Sequence, residues 1–331
     1  MTAARAVGVN LPKADPTACA QAPITADRMH KKSRLAEFVL VLVAIAWGVN
    51  APIMKLGLQH IPTQPYNTAR FIAASVVALI ALWLSGSYRR IERADRWKFA
   101  RIATLGFFLF QIFFAEGIAR TTAGNASFVL CLMPLSVLLL NKFFGLETIT
   151  RSVLTGIAFS LCGVTAIVAG AGREVSLASN HLLGTLLILV SQAGYAYYTV
   201  FSRELLARYS TYQVAASVIV MTSALLLAVS LPSMVSVAWT EVPAAAWGSV
   251  LFSGILALCL CNFLWIWGTS IIGTSRVAIF NNLSPVFAVI TAYFLLGETF
   301  GLLQAVGAAA VFAGVYITRN GDRLLRQTVG D

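Results

Sequence analysis

Charge is scarce in this chain. Only 11% of its 331 residues are Asp, Glu, Lys or Arg, while 58% are hydrophobic. Soluble domains carry about 25% charged residues, so a water-facing surface for a fold of this length is excluded. Histidine is scarcer still, at three residues. No His-Glu-x-x-His and no Gly-x-Ser-x-Gly occurs, and no two carboxylates are paired within the apolar stretches, so an intramembrane enzyme lacks its reacting groups. The five cysteines (Cys19, Cys131, Cys162, Cys259, Cys261) have no metal-ligand spacing. They read as small apolar fillers, and neither a metal nor a cofactor is called for.

What the chain has instead is long apolar runs. A bilayer core takes about 20 apolar residues per helix, and ten such runs occur, near 37–57, 64–85, 99–117, 121–142, 150–170, 181–202, 211–231, 244–267, 273–295 and 300–319. Helices are the element that satisfies backbone polar groups in lipid. The expected fold is therefore all-α and integral to the membrane, with short connections and antiparallel neighbours. Residues 1–36 are polar and read as a disordered tail, and 321–331 as a second tail. With the N-terminus inside, 20 of the 24 basic residues fall on the cytoplasmic side. Only Lys55, Arg120 and Arg173 fall outside, and Arg70 lies within a span. That asymmetry predicts both termini cytoplasmic. It also makes the net charge of +11 a topogenic signal suited to membrane lipid, not to nucleic acid.

The chain repeats itself. A shift of 151 residues places Gly117 on Gly268, Pro134 on Pro285 and Glu147-Thr148 on Glu298-Thr299. The same shift places Gly156 on Gly307 and Gly163 on Gly314. Earlier in each half, a shift of 148 places Trp47 on Tyr195 and Asn50 on Tyr198. Two five-helix repeats follow, about 37–171 and 181–320. Because five is odd, the second enters the membrane from the opposite side, giving inverted-topology symmetry. Glu147 and Glu298 then lie at opposite faces, some 30 Å apart, too far to act as a pair. Each reads as an architectural carboxylate that begins the helix after it. Pro134 and Pro285 read as kinks or hinges. The glycine pairs, seven apart, read as packing stripes.

Polar side chains within spans face cavities or other helices. Trp47, Asn50 and Met54 share one face of the first helix, and Gln192, Tyr195, Tyr198 and Thr199 share one face of the sixth. Gln111, Asn125, Asn262, Trp265 and one of Asn281 and Asn282 join them as candidate cavity residues. Arg70 serves either a substrate carboxylate or helix-end carbonyls. Glu116 either pairs with Arg120 or Lys55 or carries a coupling proton.

The segments AWGVNAPIMKLGL and TARFIAAS, together with the twice-occurring Pro-x12-Glu-Thr-x7-Gly-x6-Gly, resemble the EamA family of the drug/metabolite transporter superfamily over residues 37–320. The resemblance implies ten helices in two inverted repeats and export of small metabolites, often amino acids, across a bacterial inner membrane. It marks Trp47, Arg70, Pro134, Glu147, Pro285 and Glu298 as motif positions; Glu116 departs from the pattern. The expected substrate-binding set is Trp47, Asn50, Arg70, Gln111, Gln192, Tyr195, Tyr198, Asn262, Trp265 and Asn281. The expected partner is a small-molecule substrate, and oligomeric state is left open. A translocator of lipids or cationic drugs with a lateral opening is the competing reading.

Overall fold

The computed structural model describes residues 18–120, 129–147, 149–170, 179–287, 290 and 301–328; among them every regular element is helical. Helix α1 (Ala18–Leu58) is followed by α2 (Thr63–Leu84). Next, α3 (Arg93–Arg101) runs through a π-helical stretch (Ile102–Phe108) into α4 (Leu109–Arg120). Then come α5 (Met133–Phe144), α6 (Arg151–Gly170), α7 (Ser179–Leu206) and α8 (Thr211–Val235). Helix α9 (Ala244–Leu251) runs through a second π-helical stretch (Phe252–Leu260) into α10 (Cys261–Ile272). Helix α11 (Thr274–Phe280), a 3-10 turn (Asn281–Leu283) and α12 (Leu302–Thr328) complete the order.

Five helices are long and apolar enough to cross a membrane among the described residues: Lys31–Asn50, Thr63–Leu84, Arg93–Gly117, Thr211–Val235 and Ala244–Ile272. Met133–Phe144, Arg151–Ile167 and Leu302–Thr318 are shorter apolar helices. The chain is a multi-pass membrane protein. Its first helix differs from the sequence expectation: it extends back to Ala18, over half of the segment that polarity assigns to a tail. The apolar run from 37 is already helical, and Ala, Arg, Lys and Leu before it are good helix formers, so the helix propagates backwards without a new nucleus. Glu298 and Asn125 lie outside the described residues.

Helices from the first half of the chain pack on helices from the second. α1 lies along α9 and α10, α2 along α8, α4 along α7, α5 against α11, and α6 along α12. The last pair is made by the glycine stripes. A side chain on Gly163 would meet the Gly307 carbonyl at 2.5 Å, and one on Gly156 would meet the Gly314 carbonyl at 2.6 Å. The two helices are therefore antiparallel and in backbone contact, a spacing that only glycine permits. The hydroxyls of Thr68 and Ser230, 2.7 Å apart, stitch α2 to α8.

Candidate functional site

The two prolines stand where helices restart. Pro134 sits in the first turn of α5, just after a turn at Cys131–Leu132. Pro285 follows the 3-10 turn Asn281–Leu283. A proline in the first helical turn has no hydrogen bond to lose, so each residue marks an interruption in a longer apolar run. Both interruptions, together with the π-helical stretches, border one cavity.

This cavity has a volume of about 260 Å³. Trp47, Gly48, Asn50 and Met54 of α1 form one wall, with Arg70 of α2. Phe107, Phe110, Gln111 and Phe114 form a second, and Gln192 and Tyr195 of α7 a third. Ala257, Leu258 and Asn262 close it, together with Leu130 and Cys131 and with Asn281, Ser284 and Pro285.

Among the described residues Arg70 is the only charged one in that lining, and it is 5% exposed. Its Nε donates to Asn67 Oδ1 at 2.9 Å, and its two terminal nitrogens donate to Ser253 Oγ at 3.0 Å and Gln111 Oε1 at 2.8 Å. One terminal nitrogen also reaches Met54 Sδ at 3.3 Å. All four partners are neutral. A buried guanidinium held by dipoles alone keeps most of its desolvation penalty, and an anion arriving beside it recovers that energy.

Several cavity-lining residues carry buried polar atoms that find no hydrogen-bond partner among the described residues. Asn262 Nδ2 donates to the Leu258 carbonyl at 2.8 Å, which fixes the amide orientation and leaves Oδ1 without a donor. Asn50 Nδ2 turns to Met54 Sδ at 3.2 Å, and its Oδ1 is likewise unmatched. The Tyr195 and Ser284 hydroxyls also lack partners. Asn50 and Arg70 touch the same sulfur, so unmatched acceptor and buried cation are neighbours. Leaving a buried polar group unmatched costs about 1–3 kcal/mol, and a ligand with N–H donors removes that cost.

Aromatic rings make up the rest. Phe110 lies 4.8 Å from Tyr195 between ring centroids, and Trp47 lies 6.2 Å from Tyr195. Trp47 is anchored by its indole N–H to the Ala257 carbonyl at 2.9 Å.

Eight residues named from sequence as substrate-binding border this space: Trp47, Asn50, Arg70, Gln111, Gln192, Tyr195, Asn262 and Asn281. Trp265 and Tyr198 do not. Trp265 is buried behind Trp47, 5.1 Å between centroids, with its N–H on Thr199 Oγ1 at 3.2 Å. Tyr198 is buried against Phe107 at 4.7 Å. Each supports the aromatic wall from behind. Glu116 also stands outside the lining, partly exposed, accepting from Gln64 Nε2 at 3.2 Å and paired with Arg120. Phe107, Phe110 and Phe114 were missed. Their spacing with Gln111, at i, i+3, i+4 and i+7, puts all four on one helix face and is the signal that could have found them. Ser253, a partner of Arg70, carries no comparable signal, because a single serine in an apolar run resembles any other.

Glu147 has an architectural setting, with a different partner from the one expected. Among the described residues its hydrogen bonds go elsewhere than to α6, the helix that follows it. Its Oε2 accepts from Thr274 Oγ1 at 2.7 Å, Ser275 N at 3.1 Å, Ser275 Oγ at 2.9 Å and Asn141 Nδ2 at 3.0 Å. It thus satisfies the start of α11, in the other half of the chain, through charge-assisted bonds. Gly273, at φ 85°, leaves room for the carboxylate where any Cβ would collide with it.

A multi-pass helical membrane protein whose two halves jointly wall a small polar and aromatic cavity has the architecture of a carrier. The chain belongs to the EamA-like transporter family, which matches it over residues 34–169 and 182–320. Among curated relatives, an uncharacterized transporter, YetK, of Bacillus subtilis is 27% identical over 290 residues, covering 87% of this chain and 88% of its own length. A probable amino-acid metabolite efflux pump of Salmonella typhimurium is 27% identical over 89% of this chain and 98% of its own length. A probable terminal-alkyne amino-acid exporter of Streptantibioticus cattleyicolor is also 27% identical, over 85% and 92% respectively. One crystal structure superposes with a TM-score of 0.76 at 19% identity, covering 86% of this chain and 98% of that one, and so shares the fold.

Proposed function

We propose that this protein is a secondary carrier that exports small metabolites, amino acids foremost, by alternating access through the central cavity. The observation that carries the reading is Arg70: a buried guanidinium in the cavity wall with neutral partners only, beside the unmatched oxygens of Asn50 and Asn262. An α-amino acid offers a carboxylate to the first and an ammonium to the second, with its side chain on the Trp47, Phe110 and Tyr195 faces. Trp47, Asn50, Arg70, Gln111, Gln192, Tyr195, Asn262 and Asn281 form the proposed binding set, with Trp265 and Tyr198 as its support. The names of the Salmonella and Streptantibioticus relatives support this substrate class. A lone buried cation in the lining repels cationic drugs, so the charge of the cavity disfavours that alternative.

Alternating access rests on ten helices in two inverted repeats, and the packing supports that arrangement. Repeat-equivalent residues touch each other. Trp47 meets Tyr195, and Asn281 Nδ2 donates to the Leu130 carbonyl, 151 positions away, at 3.3 Å. The glycine contacts are reciprocal: 156 with 314 and 163 with 307. A twofold axis through the cavity produces these contacts, and the basic-residue asymmetry orients both termini to the cytoplasm of the inner membrane.

The test is uptake and counterflow of radiolabelled amino acids in proteoliposomes. Transport of at least one amino acid, competed by others, is expected. Failure of every amino acid to move, with a cationic dye or a lipid moving instead, overturns the reading.

A further inference from the structure

The loop joining α2 to α3 and the first turn of α3 gather Arg89, Arg90, Arg93 and Arg96 around one cleft, with Ile91 and Glu92 completing its rim. The carboxylates of this region are already engaged. Glu92 pairs with Arg89 and Arg208, each at 3.4 Å. Asp95 pairs with Arg208 at 3.2 Å and Lys98 at 3.6 Å, and Glu204 pairs with Lys98 at 3.6 Å. Arg90, Arg93 and Arg96 have no carboxylate within ion-pair distance among the described residues. Three like charges on one short segment repel one another unless an anion joins them.

The backbone beneath them is pinned. Gln213 of α8 accepts from the Arg89 N–H at 2.9 Å and donates to the Arg89 carbonyl. The Tyr209 hydroxyl accepts from the Glu92 N–H at 3.1 Å and donates to Asp95 Oδ2 at 3.0 Å. The arginines thus project from a fixed support, which lowers the cost of organising them around a ligand.

A second observation gives the depth of the cleft. Trp83, Tyr88 and Trp97, which flank it in sequence, are 78%, 67% and 72% exposed. Trp83 and Trp97 lie at the adjoining ends of the spans Thr63–Leu84 and Arg93–Gly117, and Tyr88 lies in the connection between them. Tryptophan and tyrosine at span ends sit at headgroup level. Guanidinium groups at that level bind phosphate oxygens in forked pairs.

We propose that this cleft is a binding site for the phosphate-bearing headgroup of an anionic phospholipid. The experiment uses the full chain in detergent, loaded with equal amounts of phosphatidylglycerol and phosphatidylcholine, then washed and analysed for retained lipid. The wild type is expected to retain phosphatidylglycerol preferentially. The R90Q/R93Q/R96Q variant, which removes three charges from the membrane surface, is expected to retain roughly a hundred-fold less of it, with phosphatidylcholine unchanged. A monodisperse variant that retains phosphatidylglycerol like the wild type overturns the proposal. So does displacement of the lipid by millimolar inorganic phosphate, which makes the site one for a soluble anion. Should the glutamine variant fail to fold, R90K/R93K/R96K keeps the charge and loses the fork. It is expected to release the lipid at lower salt than the wild type, and an unchanged salt profile overturns the proposal.

Discussion

The perturbation that bears most directly on the cavity is Arg70→Gln. If the guanidinium receives a substrate carboxylate, the contact is a hydrogen bond between charged groups, worth about 1.5–3 kcal/mol. At 1.4 kcal/mol per tenfold, its loss weakens binding roughly ten- to hundred-fold. Removing Arg70 also leaves Asn67, Ser253 and Gln111 without their donor, and that rearrangement weakens any ligand. A cycle separates the two effects. An amino acid and its carboxamide are compared by competition binding in the wild type and in Arg70→Gln. The wild type should prefer the free acid by the ten- to hundred-fold factor, and the variant should bind both within about twofold, the residual non-additivity of such cycles. Arg70→Lys, which keeps the charge without the fork, should fall between them. An acid-to-amide preference that survives Arg70→Gln unchanged refutes the assignment, whatever happens to overall affinity.

Gly163→Val should push α6 and α12 apart, because its Cβ falls 2.5 Å from the Gly307 carbonyl; destabilisation of about 1–3 kcal/mol should appear as a lower thermal midpoint in detergent. Glu147→Gln replaces charge-assisted acceptance with a neutral amide at the start of α11. It should destabilise by about 1–3 kcal/mol, read by the same melting assay, while substrate KM stays near the wild-type value because the residue is not part of the cavity lining. Glu116→Gln should leave the pH profile of transport unchanged, since Glu116 stands outside the cavity lining and is matched by Arg120; a shifted profile in proteoliposomes refutes this.

Helical membrane architecture was legible because it rests on counting: apolar run lengths survive any detail of packing. The cavity was legible where a polar or aromatic residue stood out in an apolar span, as Asn50, Gln111 and Asn262 do. It was not legible where the lining is chemically ordinary. Leu130 and Leu258 look like lipid-facing residues in sequence, and only the packing of their helices turns them inward. Trp265 illustrates the converse error, a residue conspicuous by type whose neighbour Trp47 reaches the cavity first. Glu147 shows why caps are hard to assign: a carboxylate at a helix–helix corner can serve any helix start within reach, and proximity in space overrode proximity in chain.

The contact between α6 and α12 has one more implication. Its two stripes are copies of a single sequence pattern, and each fits the other. Each half therefore carries one stripe, and the two stripes are alike. Two halves made as separate chains would have a means of finding each other through that joint, with no tether between them.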